Sequence, residues 1–338
     1  MEIRTELKLA PDSQISTCGQ APIGKTDDKY DVCIVIVNYN GVEFLVDALQ
    51  RTYDAIKSSL LRYQLILVDN NSSDRSAELA QMRFPELKIV ALGSQVGFAA
   101  ANNVGVRVAP PSELVLFLNS DAWLCPGAIE QMVGFLRDHP HYGAVAPVEQ
   151  RPDGRIHRTW RSIPRPFNIL LDLLFEVIWF HWFPKSINLD IKSRRWKKLA
   201  SKPVIRVPFL PGYCLLVRFF AFHQAGWWDE LYDFYCEDDD LSYRLTCDGW
   251  LQGIITKAFA VHIGSASTKA SSIERAEKLR AARKIFCYKH FPYSARVVEV
   301  LAKFLVKIVP KRTNQLKNIL QQLATGPNME ISTTRPLR

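Results

Sequence analysis

The densest acidic cluster in the chain is Glu237-Asp238-Asp239-Asp240. Adjacent carboxylates repel one another and resist burial, so a fold keeps them beside a cation, a proton to be moved, or water. Two further acids close apolar runs. Asp121 ends Leu114-Val115-Leu116-Phe117-Leu118-Asn119-Ser120-Asp121, and Asp69 ends Leu65-Ile66-Leu67-Val68-Asp69. Hard divalent cations take carboxylate and phosphate oxygens, so strands that bring acids to one sheet edge suit a metal and a phosphorylated ligand.

The elements that must position these acids follow from periodicity. Short apolar runs at 31–39, 64–68, 87–91 and 114–118 read as buried parallel strands. Helical spacing fills the gaps at 41–61, 73–82, 97–108 and 126–138, with Ser72 or Ser73 as an N-cap and Pro126 at a helix start. This alternation implies an α/β fold: a Rossmann-like, mostly parallel sheet flanked by helices, with right-handed crossovers. Further strands are expected at 144–146, 209–217 and 254–256. A helix over 238–248 has acids in its first turn, which suits its dipole. A basic helix at 273–289 and an amphipathic one at 294–309, with Arg296, Glu299, Lys303 and Lys307 on one face, make a helical C-terminal extension. The expected organisation is a loose tail over 1–29, one catalytic-type domain over 30–270 with a basic and aromatic insertion at 151–202, the extension over 271–325, and a flexible end at 326–338.

Ligands of such sheets bind at the carboxyl ends of strands. Asn38 and Asn40 follow the first strand there. Asp69 and Asn71 follow the second, and Asp69 suits a base imide or a ribose hydroxyl. The small-residue turn Gly97-Phe98-Ala99-Ala100-Ala101-Asn102 would let a ligand approach backbone. Asn119 and Asp121 follow the fourth strand. Asp240 and Arg244, four apart on a helix, suit a structural pair.

With 338 residues, 48% of them apolar, a large core is expected. The net charge of +9 is concentrated in basic patches that attract phosphates or anionic lipid. Nothing resembles a nucleic-acid-binding module, and no nucleic-acid partner is expected. The seven cysteines contain no C-x-x-C pair, which fits free thiols in a reducing cytosol. No stretch reaches the ~20 apolar residues of a spanning helix. Residues 167–183 come nearest, with Asn168, Asp172 and Glu176 on one face, and read as a helix lying in a membrane surface. A core helix or an oligomer contact is the alternative, so a homo-oligomer is allowed for.

The combined motifs resemble glycosyltransferase family 2, enzymes of the GT-A fold. The segments carrying the resemblance are Val35-Ile36-Val37-Asn38-Tyr39-Asn40, Val68-Asp69-Asn70-Asn71-Ser72-Ser73-Asp74, Asn119-Ser120-Asp121 and Gly226-Trp227-Trp228-Asp229-Glu230, with the acidic cluster after it. Gly97-Phe98-Ala99-x-x-Asn102 and Arg158-Thr159-Trp160-Arg161-Ser162-Ile163-Pro164 look like its rhamnosyltransferase branch. The resemblance implies that Asn38, Asn40, Asp69, Asn71, Gly97, Asn102, Asn119 and Asp121 bind the donor. It implies Asp121 and His262 as ligands of Mg2+ or Mn2+, and Asp238 as general base with Glu237 beside it. Gly212, Trp228, Asp240 and Arg244 would face the acceptor. Asn119 departs from the first acid of the family's D-x-D, and Tyr213 stands where relatives carry a small residue. The Q-x-x-R-W of processive synthases is absent after the acidic cluster, which favours single-sugar transfer.

The expected activity is inverting transfer of one sugar, rhamnose from dTDP-rhamnose, to a lipid-linked or polysaccharide acceptor. The work would be done in the cytoplasm at the inner face of the cell membrane, for cell-surface glycan synthesis. The alternatives are a UDP-hexose donor, or a non-catalytic subunit that binds sugar nucleotides.

Overall fold

A computed structural model of the chain describes residues 29–157, 200–264, 272–308, 320–321 and 323–325. The expected tails over 1–28 and 326–338, the bulk of the insertion including 158–164, and the 167–183 helix lie outside the described residues.

The described strands form one mixed sheet. β1 (Tyr30–Asn38), β2 (Tyr63–Asp69), β3 (Lys88–Ala91) and β4 (Ser112–Asn119) are its parallel part, in the order β3-β2-β1-β4. The crossover helices are α1 (Leu45–Ile56), α2 (Ser76–Arg83) and α3 (Phe98–Arg107). Beyond β4 the sheet is mixed. β5 (Ala122–Leu124) and α4 (Ala128–Asp138) lead to β6 (Tyr142–Gln150), which pairs antiparallel with β7 (Ile156–His157). β8 (Val204–Arg206) then lies antiparallel to β10 (Leu251–His262). β9 (Cys214–Arg218) runs antiparallel to both β4 and β6. β10 is parallel to β6 and antiparallel to β5. α5 (Phe219–Gln224) and α6 (Glu237–Cys247) lie between β9 and β10, and α7 (Ser272–His290) and α8 (Pro292–Ile308) follow.

β1 shows why its sequence makes a central strand. Val32, Ile34 and Ile36 enter the core with Leu45 and Leu49 of α1 and Met132 of α4. Cys33, Val35 and Val37 enter the other core with Ala99 and Val106 of α3, Phe222 of α5 and Leu241 of α6. Each such aliphatic burial contributes about 1.5–3 kcal/mol, so a run apolar on both faces belongs inside a sheet covered by helices.

Several local expectations are corrected. The run at 209–217 is strand only from Cys214, because Pro208, Pro211 and Gly212 break it first. α2 has no serine cap: its N-cap is Arg75, and Asp74 Oδ1 accepts the Ser76 N–H at 3.0 Å instead. At least one small residue of α3 serves packing. A Cβ on Gly105 would sit 2.4 Å from Val35 Cγ1, so this helix needs glycine to lie against β1.

Candidate functional site

The strand order reverses between β1 and β4, the switch point at which open α/β sheets place ligands. A cavity of about 620 Å³ opens there, lined by Val37 and Tyr39 after β1 and by Asn119, Ser120 and Asp121 after β4. The loop at Asp233-Phe234-Tyr235 and Arg275 and Lys278 of α7 also line it.

Asp121 is held by the β5 turn. Its carbonyl accepts the Ile263 N–H at 3.1 Å, and β5 pairs with the end of β10 at Ala122↔His262. That pairing brings His262 Nε2 to 3.3 Å from Asp121 Oδ1 and 3.5 Å from Asn119 Nδ2. The Asn119 Oδ1 is buried without a hydrogen-bond partner among the described residues. Behind the imidazole, Glu149 Oε1 lies 3.3 Å from His262 Nδ1, and His157 Nδ1 lies 3.4 Å further along from the same oxygen. Tyr213 stacks on the His262 ring at 4.9 Å, and its hydroxyl donates to the Pro147 carbonyl at 3.2 Å. The tyrosine is 4% exposed, so it backs the histidine.

Burial alone would pull the His262 pKa down. The hydrogen bonds to Asp121 and Glu149 outweigh it and lift the imidazole from 6.5 to about 9. Burial pushes the Glu149 carboxyl up, but the flanking imidazoles of His157 and His262 carry it below the ordinary value. Glu149 and His157 carried no signal in the sequence, because the carboxylate ends a strand whose other residues read as core.

Asp69 sits in a polar knot. Asn38 Nδ2 donates to Asp69 Oδ1 at 3.0 Å and to Ser76 Oγ at 2.8 Å, while the Ser72 N–H reaches Asp69 Oδ2 at 3.1 Å. Asp69 is 6% exposed and does not itself line the cavity, whereas its neighbour Asn70 does. Asn70 exchanges hydrogen bonds with the Val96 backbone at 2.8 and 2.9 Å and so fixes the 95–98 wall. Asn40 uses its side chain on the Ser73 N–H at 2.9 Å, and Asn71 is an exposed turn residue with φ 63°. Gly97 lines the cavity, and a Cβ there would lie 3.1 Å from the Cα of Asp233, which lines it too. Asn102 is buried and donates to the Phe98 carbonyl of its own helix at 2.9 Å. Its neighbour Asn103 ties α3 to the Trp228 backbone at 2.9 and 3.2 Å. Trp228 is itself buried, edge-on to Phe117.

The acidic cluster opens α6, and contrary to expectation most of it is buried. Glu237, Asp239 and Asp240 are 8%, 4% and 0% exposed. Asp240 tolerates this because Arg244 Nε at 2.7 Å, Lys289 Nζ at 2.7 Å and His290 Nε2 at 2.6 Å surround it. Burial pushes its carboxyl up, but those cations hold it well below the ordinary value. Asp240 and Arg244 therefore brace α6 against α7 and do not face an open cleft. Asp238 is the more accessible acid. Its Oδ2 accepts the Gly212 N–H at 3.1 Å, and a Cβ on Gly212 would lie 3.2 Å from the Asp238 Cβ. The next residue, Tyr213, receives the Asn119 N–H on its carbonyl at 2.9 Å. Asp238 is thus linked through Gly212-Tyr213 to the Asn119–Asp121 edge, although it does not line the cavity itself.

A mixed sheet with a parallel nucleotide-type half, a cavity at its switch point and an acid turn after the fourth strand define a GT-A glycosyltransferase fold. The family model of Glycosyl transferase family 2 matches residues 33–225, more than half of the chain, and the chain belongs to that family. An N-acetylglucosaminyl-diphospho-decaprenol L-rhamnosyltransferase of Mycobacterium tuberculosis is 29% identical over 214 residues, 60% of this chain and 67% of that protein. An undecaprenyl-phosphate 4-deoxy-4-formamido-L-arabinose transferase of Yersinia enterocolitica is 34% identical over 144 residues, 41% of this chain and 42% of that one. Among solved structures, GalNAc-T7 with UDP, GalNAc and Mn2+ shares the fold at a TM-score of 0.52 and 14% identity. That match covers 88% of this chain and 55% of the other.

Proposed function

We propose that this glycosyltransferase moves one sugar, rhamnose from dTDP-rhamnose, onto a hydroxyl of a lipid-linked acceptor with inversion at the anomeric carbon. The observation that carries the reading is the convergence of Asn119, Asp121 and His262 beside the cavity at the β1–β4 switch point. Relatives named for transfer to polyprenyl-linked acceptors support the acceptor class.

Among the described residues no group of three or more His, Cys, Asp or Glu side chains is arranged to hold a metal. Asp121 and His262 nonetheless fit a divalent cation. They are a carboxylate and an imidazole already in contact, and the Asn119 Oδ1 beside them is a buried acceptor left unused. These residues would hold Mg2+ or Mn2+, with the donor's phosphate oxygens supplying the remaining ligands. The cation would offset charge on the departing nucleoside diphosphate. Glu149 and Tyr213 orient the His262 ring for this role. Asp238 takes the proton from the acceptor hydroxyl as that oxygen attacks, and the Gly212 N–H holds its carboxylate in place.

Helix α8 supports work at an anionic lipid surface. Tyr293, Val297, Val300 and Phe304 recur on one exposed side, with Arg296, Lys303 and Lys307 also exposed on the same helix. No described helix is long and apolar enough to cross a membrane. Sedimentation with phosphatidylglycerol vesicles tests this contact. Unchanged binding by the Val300→Glu, Phe304→Glu chain would remove it.

Donor hydrolysis across a nucleotide-sugar panel tests the central reading. The expected result is turnover of dTDP-rhamnose, and Asp238→Asn lowers transfer by ~100-fold or more while donor binding is kept. Activity with UDP-hexoses alone would replace the sugar. Full transfer by Asp238→Asn would remove the assigned base.

A further inference from the structure

We infer that Arg275 and Lys278 of α7 are the cationic part of the donor site and grip the donor's diphosphate in the cavity that Asp121 also lines. This rests on the nucleotide-sugar reading above. The charged side chains lining the cavity are Asp121, Asp233, Arg275 and Lys278. Acids alone would repel a diphosphate. A cation held at Asp121 offsets part of that charge, and the leaving nucleoside diphosphate gains more as the glycosidic bond breaks. Fixed positive charge in the same cavity is what such a ligand requires.

Arg275 and Lys278 are one turn apart, so they share a face of α7. Neither has an ion-pair partner among the described residues. The basic residues at the other end of the same helix are committed: Lys289 to Asp229 and Asp240, His290 to Asp240. A guanidinium offers a planar fork to two phosphate oxygens, and the ammonium adds a point charge beside it.

The pair is also held firmly. Ala282, Phe286 and Cys287 bury α7, and Phe286 packs edge-on against Phe209 and Tyr243. The cations therefore stand on a docked helix rather than a loose loop. One helix then serves both substrates. Its first turns face the donor cavity, while its last turn holds Asp240 of the helix that carries Asp238.

The test is calorimetric titration of the full chain with UDP, dTDP and uridine, each without added metal. Arg275→Ala, Lys278→Ala should weaken the binding of whichever nucleoside diphosphate the wild type takes by about 10- to 100-fold. Uridine binding should change by less than ~2-fold, and Arg275→Lys alone should retain part of the affinity. An unchanged melting temperature shows that α7 remains docked. Equal loss for uridine and the diphosphates would overturn the grip, because the pair would then be acting on the shape of the pocket. A wild type that binds a nucleoside diphosphate, with a double variant that binds it equally well, overturns the grip alone. A wild type that binds no nucleoside diphosphate, either without metal or in a repeat with Mn2+, overturns the donor reading and the grip with it.

Discussion

Asp121 and Asp240 are both buried acids, 2% and 0% exposed, and each touches a histidine. Their surroundings differ. Asp240 is enclosed by Arg244, Lys289 and His290, partners that belong to the protein and bind two helices together. Asp121 has a longer contact to His262, an unused amide oxygen beside it at Asn119, and a cavity in front. A carboxylate saturated by the protein's own cations is part of the scaffold. One with a displaceable partner and open volume is equipped for a ligand. Burial and acidity alone do not separate the two.

The largest effect that would sharpen this contrast is on the scaffold side. Asp240→Asn removes the acid but not its cations, and should cost about 3 kcal/mol in urea unfolding. The pH sign follows from the lowered Asp240 pKa. Its contribution is full above the ordinary value of 3.8 and is lost as pH falls through the folded value. The stability gap between wild type and Asp240→Asn should therefore narrow on acidification below that point, and a pH-independent gap would contradict it. On the ligand side, Asp121→Asn should leave urea stability within about 1 kcal/mol while lowering transfer by ~100-fold or more. A variant that loses stability instead would make Asp121 a second scaffold acid. The smallest effect belongs to Glu149, which touches neither cavity nor substrate. Glu149→Gln should weaken Mn2+ affinity by ~10-fold or more, followed by the electron paramagnetic resonance of free Mn2+. Unchanged Mn2+ affinity would reduce Glu149 to a core residue.

The sequence made some of this legible. β1, β2 and β4 are short apolar runs ending on Asn38, Asp69 and Asn119, and such runs have few other places to go in an α/β domain. Three-residue β5 has no periodicity to read, yet it sets the Asp121–His262 contact. The acidic cluster was conspicuous, and the four-residue spacing already paired Asp240 with Arg244, but Lys289 and His290 reach Asp240 only through tertiary docking. The same docking turns Arg275 and Lys278 from a basic stretch into a cavity wall. Asn102 and Asn103 show the limit of motif reading. Both are buried on α3, and the one outside the motif joins two parts of the domain.

The most direct test is the affinity of the chain for dTDP and UDP, measured with and without Mn2+ in wild type and in Asp121→Asn. The account predicts at least ~10-fold tighter binding with Mn2+ in the wild type and no Mn2+ effect in the variant. Equal enhancement by Mn2+ in both chains would contradict it.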